Sequence, residues 1–168
     1  RHRPVPIRPT NPTLDAGMSP GVHSDLLRRL PKAALHCQRD GSVRPETLIA
    51  LGKEYKVAMP RADADALREY MRVDDARSLE DYLARFDVTL SVMQTEDALG
   101  RIALELGEVA ANDGVRYIEG RYAPVLNVRA GLALGASVVA PVRGLARAER
   151  DHGIVARLIL CGLRGLPG

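Results

Sequence analysis

The sequence has no tryptophan, one phenylalanine and only 4% aromatic residues. That scarcity argues against a stacking platform for single-stranded nucleic acid, which needs several exposed rings. There are two cysteines, Cys37 and Cys161, each isolated in an apolar run. Two such thiols make neither a disulfide framework nor a zinc clip, and they read as reduced thiols of a cytoplasmic protein. No apolar run is long enough to span a bilayer and no signal peptide is visible, so a membrane partner is not expected. A dominant charge is also missing: 24 Lys and Arg face 21 Asp and Glu, a formal net charge of +3. That balance is too mild to argue for nucleic acid.

What is present is one domain's worth of chain: 168 residues, 46% apolar and 27% charged. Residues 1–23 read as a flexible leader, with Pro4, Pro6, Pro9, Pro12 and Pro20 among Arg1, His2, Arg3 and Arg8. Such a stretch cannot bury a face and is read as a solvated segment. Residues 24–168 carry the structural pattern. Ser24 to Leu30 reads as a short helical turn capped by Ser24. Ala33 to Cys37 is small and apolar, as an interior strand requires. Asp40-Gly41-Ser42 is turn chemistry, and Pro45 suits the first turn of a helix over Pro45 to Val57. Asp63 to Met71 predicts a second helix.

Ser78 caps a third, with Leu79, Tyr82, Leu83, Phe86, Leu90 and Met93 on its apolar face. Thr95 opens a fourth, with Leu99, Ile102, Ala103, Leu106, Val109 and Ala110 on its stripe, and Asn112-Asp113-Gly114 stops it. Val115 to Ala123 is a second strand, and Arg129 to Gly135 a loop. Ser137 to His152 is a fifth helix, and Ile154 to Leu163 a third strand. Strands alternating with helices predict α/β architecture with parallel strands.

The run from Leu30 to Glu46 places His36 and Asp40 at the carboxyl end of the first strand, the edge where α/β folds bind ligands. Alternate strand residues share a side, so His36 and Gln38 point together and Cys37 points away unless a bulge turns the strand over. Arg39 would set a charge at the pocket mouth. Glu119 and Arg121 share a face of the second strand and read as a structural pair that must be matched. Arg164 reads as a rim charge. His36 on its own reads as a pocket histidine with a satisfied hydrogen bond. Asp40-Gly41 is equally a plain turn, and Tyr82, Leu83 and Phe86 at helical spacing read first as a core stripe.

Leu30, Pro31, Lys32, Leu35, His36, Asp40, Gly41 and Arg44-Pro45-Glu46-Thr47-Leu48 resemble the opening motif of the adenosine deaminase family, Leu-Pro-Lys-x-Glu-Leu-His-x-His-x-Asp-Gly. Ser78 to Asp87, Val115 to Pro124 and Arg157 to Arg164 are similar to later blocks of that family, so the likeness runs from Leu30 to Arg164. Two positions depart from the pattern: Ala34 stands for Glu, and Gln38 for the second His, a zinc ligand in the family.

The resemblance implies part of a (β/α)8 barrel, about three parallel strands plus helices. It implies a Zn2+ cofactor with His36 as a ligand, and a purine nucleoside substrate, adenosine, deaminated to inosine in cytoplasmic purine salvage. Asp40 is then the substrate-side carboxylate, and Tyr82, Leu83 and Phe86 the apolar lid over the purine. The family's catalytic Glu, its second catalytic His and its further zinc ligands belong to segments with no counterpart here. No catalytic residue is therefore assigned, and this chain alone is expected to be inactive. The competing expectation is a degenerate relative that binds a purine nucleoside or another protein. Three strands cannot close a barrel of eight, which predicts self-association or a partner chain that completes it.

Overall fold

The computed structural model describes residues 26–27, 29–72 and 79–164, the side chains of 79–84 excepted. The expected leader, and the caps expected at Ser24 and Ser78, lie outside the described residues. The elements run β1 Lys32–Gln38, α1 Pro45–Glu54, α2 Ala64–Met71, α3 Leu79–Val92, α4 Glu96–Asn112, β2 Val115–Tyr122, α5 Leu134–His152 and β3 Val155–Leu160. A 3₁₀ turn, Pro124–Asn127, follows β2. The strands form one parallel sheet in the order β1-β2-β3. The expected fold class is what the chain adopts.

Local chemistry explains most boundaries. The Asp63 side chain accepts a hydrogen bond from the Ala66 N–H and caps α2. Thr95 does the same from the Ala98 N–H at α4. Gly114 leaves α4 at φ 81°, a conformation glycine adopts at little cost. Some boundaries differ from expectation: α1 ends at Glu54 and not Val57, β3 ends at Leu160 and not Leu163, and α5 starts at Leu134, before Ser137. Its first turn has no side-chain cap, and Ser137 lies inside it with Oγ–H donating back to the Leu134 carbonyl. Pro141 also sits within α5. It has no N–H for the carbonyl four residues back, that of Ser137. The Tyr122 hydroxyl donates to that carbonyl instead.

Two cores hold the layers together. Leu48, Leu51, Leu67, Val92, Met93, Leu99 and Ile102 pack among α1 to α4. Leu106, Ile118, Leu145, Ile154 and Ala156 pack α4 and α5 onto the sheet. Val109, expected on the α4 stripe, is 47% exposed. The helices cross closely because small residues meet: a Cβ on Gly144 would lie 2.2 Å from the Gly100 carbonyl oxygen, and one on Gly107 would lie 2.4 Å from Ala148 Cβ. Among the described residues no helix covers the opposite face of the sheet. Leu35 is 61% exposed there and Val155 42%.

β1 contains one extra residue. Ala34 lies opposite Ile118 while Cys37 lies opposite Gly120, so Leu35 and His36 together face a single residue of β2. His36 takes up the bulge at φ 54°, which costs a non-glycine residue roughly 1–2 kcal/mol. Ala34 and Cys37 both pack into the helix-side core, and Leu35 and His36 between them are exposed. The bulge therefore does not turn Cys37 to the open face. Its Sγ lies 3.8 Å from Ser42 Oγ instead.

Candidate active site

The turn after β1 builds the site. Ser42 Oγ–H donates to the Gln38 carbonyl (2.6 Å) and the Ser42 N–H to the Arg39 carbonyl (3.2 Å), closing the turn back on the strand. Thr47 Oγ1–H donates to Glu105, and Arg44 pairs with Glu108 at 2.7 Å, so the loop is tied to α4. Between this turn, α2 and α3 lies a cleft of about 430 Å³. Gln38, Asp40, Gly41 and Phe86 line it. A Cβ on Gly41 would lie 3.3 Å from Phe86 Cε1, so the ring packs against the turn itself.

Asp40 is 5% exposed, and its Oδ1 is buried without a hydrogen-bond partner. Burial pushes its carboxyl above the usual carboxylate range. Its own N–H and that of Gly41, the Gln38 side chain and the Arg39 charge all pull the other way. The Gln38 amide thus serves Asp40 as a hydrogen-bond donor.

Arg39 is not at the mouth of the cleft. It is fully buried, on the side of β1 opposite Gln38, because successive strand residues alternate. Its guanidinium lies 3.6 Å from the centroid of the Tyr122 ring. Nε, Nη1 and Nη2 are all buried without a hydrogen-bond partner. Burial lowers its pKa to about 10, against the opposing effects of Tyr122 and Asp40.

The expected site residues are only partly brought together. Asp40 and Phe86 meet in the cleft. The side chains of Tyr82 and Leu83 lie outside the described residues. His36 stands on the face of the sheet opposite the helices. Glu119 and Arg121 do not pair with each other. Tyr117 Oη–H donates to Glu119 (2.9 Å), and Arg121 Nε–H to Cys161 Sγ (3.3 Å). Arg164 is exposed, as a rim charge should be.

Sequence reasoning missed Arg68, Arg72 and Arg85, which also line the cleft. The spacing of Arg68 and Arg72 puts them on one side of α2, a signal that reads only as a solvated helix face. Each is engaged already: Arg68 with Glu46 and Asp65, Arg72 with Glu69, and Arg85 with the Tyr70 carbonyl.

The donor set does not fit zinc. Among the described residues no three His, Cys, Asp or Glu side chains come together. One imidazole beside a neutral amide lacks the three or four protein ligands that such an ion takes.

Parallel strands joined by helices, with a cleft beyond the carboxyl end of β1, are the architecture of part of a (β/α)8 barrel. Comparison with known proteins narrows this. The sequence model described as adenosine deaminase matches residues 31–167. The adenosine deaminase of Vibrio atlanticus is 45% identical over 139 residues, covering 82% of this chain and 42% of the relative. That of Enterococcus faecalis is 41% identical, covering 82% and 41%. Among solved structures, a zinc-bound amidohydrolase from Burkholderia ambifaria superposes with a TM-score of 0.69 at 33% identity, covering 87% of this chain and 40% of that one. Adenine deaminase from Arthrobacter aurescens gives 0.67 at 30%, covering 76% and 38%. The chain belongs to the adenosine deaminase family. It spans about two-fifths of the length of the curated relatives it matches.

Proposed function

We propose that this chain forms the substrate-side wall of a hydrolytic purine deaminase that converts adenosine to inosine, and that it does not turn over by itself. The carrying observation is Asp40: a nearly buried carboxylate with one oxygen unpartnered, beside Phe86, in the cleft at the end of β1. An acceptor so placed suits a hydroxyl donor on a small ligand with an apolar ring. Hydrolytic deamination also needs an activated water and a proton shuttle. The groups for both belong to the part of the family fold that follows β3. The proposed setting is cytoplasmic purine salvage, with Zn2+ held only when the other ligands are supplied.

The test is turnover by the purified chain, followed as loss of adenosine absorbance, together with metal analysis. Neither activity nor stoichiometric zinc is expected, and Gln38→His should restore neither. Ammonia release by the lone chain would overturn this reading.

A second reading has its own support. Gln38 occupies the Asp40 carboxylate and Arg39 is buried unpaired, as in a relative released from catalytic demands. It predicts adenosine binding in equilibrium dialysis that persists without metal. It also predicts no turnover when the rest of a deaminase barrel is supplied.

A further inference from the structure

We propose that the end of α1 and the loop leading to α2 form a second binding site, suited to a soluble phosphate monoester with an apolar body. The site is independent of the deaminase reading. α1 begins at Pro45, beside the cleft of Asp40, and ends at Glu54. Its far end opens on a separate concavity of about 410 Å³, roughly 14 Å along the helix axis. That size suits a small organic ligand. Ile49, Val57 and Met59 form its inner wall, half-buried and packed against the core among the helices. Lys53, Lys56 and Arg61 stand exposed around them.

The charge there is uncompensated. Among the described residues no acidic side chain lines the concavity, and no ion pair involves Lys53, Lys56 or Arg61. Two other clefts differ. Asp40 lines the first, where Arg68 and Arg72 are already paired. Glu96 and Asp97 stand among the arginines of another, between α4 and α5. Three cations beside an apolar wall call for a multiply charged anion joined to an apolar group. A phosphate monoester carries close to two charges at neutral pH and offers three strong acceptors to Lys and Arg.

Two further features suit binding more than simple solvation. The Lys56 N–H donates to the Lys53 carbonyl (3.4 Å) and the Val57 N–H to the Gly52 carbonyl (2.8 Å), closing α1 with Lys56 at φ 56°. That cap position favours glycine, and any other residue is strained there. A lysine at so strained a position points to a use for its side chain. Arg61 is held in place: Nη1–H donates to the Pro60 carbonyl (2.7 Å), and the guanidinium lies 5.1 Å from the centroid of the Tyr70 ring. A guanidinium held this way loses little freedom on meeting an anion.

The experiment is calorimetric titration of the purified full chain with 1-naphthyl phosphate, beside inorganic phosphate and 1-naphthol. One molecule of the ester should bind per chain, about tenfold tighter or more than either half alone. Added NaCl should weaken it severalfold. Lys53→Glu should weaken it about tenfold or more, while Arg68→Gln, in the cleft of Asp40, should leave it unchanged. Lys56→Gly removes a charge and relieves the strained cap, so it should bind the ester about fivefold more weakly and unfold at a higher urea concentration. Lost binding in that variant cannot come from lost folding. Absence of saturable binding overturns the proposal, as does inorganic phosphate that binds as tightly as the ester. Binding lost in Arg68→Gln but kept in Lys53→Glu overturns it too, and so does attachment to phosphatidic acid vesicles without binding of the soluble ester. Each outcome is read without turnover, so failure of the deaminase reading leaves this site standing.

Discussion

The crossing of α4 and α5 and the carboxyl end of β1 lie in the same small domain and obey different rules. At the crossing every contact is matched. Gly100, Ala103 and Gly107 meet Ala140, Gly144 and Ala148, and the carbonyl freed by Pro141 receives the Tyr122 hydroxyl. At the strand end the accounts stay open. Among the described residues, buried side-chain polar atoms without a hydrogen bond belong to Arg39, Asp40 and Asn127. The first two follow β1 directly, and Asn127 closes the 3₁₀ turn after β2. The comparison teaches that the framework here is specified by packing, which leaves no slack. The site is specified by a few positions whose replacement the framework tolerates at a cost.

Substitution at the crossing should give the largest effect. Gly144→Val puts a branched side chain where even a Cβ lies 2.2 Å from a backbone oxygen. Backbone cannot yield as a flexible side chain does, so a loss of about 3 kcal/mol or more is expected in urea unfolding. A loss below about 1 kcal/mol would mean that the helices part easily and the contrast is wrong.

The next effect has the opposite sign. Arg39→Leu replaces an unpartnered buried guanidinium with an apolar side chain and should stabilise the chain. Lowering the pKa from its ordinary value to about 10 corresponds to roughly 3 kcal/mol of disfavoured charge. Stacking on Tyr122 is lost in exchange, so a net gain of about 2 kcal/mol is expected. The pH dependence follows. Below about pH 10 both folded and unfolded Arg39 are protonated and the cost is fully present. Above it the folded group releases its proton first, and the cost shrinks. The stability gap between Arg39→Leu and the parent should narrow as pH rises past about 10. A destabilised Arg39→Leu would show that the guanidinium has partners of real value.

Tyr122→Phe should cost about 1–2 kcal/mol, because it leaves the Ser137 carbonyl buried without a donor. In a Pro141→Ala background the restored N–H can take that carbonyl, so the cost should fall by more than half. Equal costs in both backgrounds would separate the tyrosine from the proline.

This arrangement also shows where sequence reading stopped. The parallel sheet, the helices capped by Asp63 and Thr95, and the cleft pairing of Asp40 with Phe86 were legible because caps, spacing and the opening motif are local signals. The α5 start was not, since an alanine at the N-cap with no side-chain cap leaves no residue signature. Arg39 was misplaced because a charged side chain reads as exposed, although alternation from Gln38 already sent it toward the helices. The partnership of Tyr122 with a proline-freed carbonyl joins residues fifteen apart, and no periodic pattern reports it.

Asp40→Asn should change stability least and ligand binding most, which sharpens the contrast between framework and site. Burial raises the folded pKa of Asp40 above its unfolded value, so the folded state holds the proton more tightly. Ionised Asp40 therefore contributes a penalty that is absent in acid and develops as pH rises through the raised value. The neutral amide escapes it. At pH 7 the variant should be as stable as the parent or better by under about 1 kcal/mol, and at pH 3 the two should coincide. The amide keeps an acceptor oxygen but gives up the charge that a hydroxyl donor favours, so adenosine binding should weaken about tenfold. A variant that lost stability at pH 7 and kept its nucleoside affinity would make Asp40 part of the framework, with no hold on the ligand.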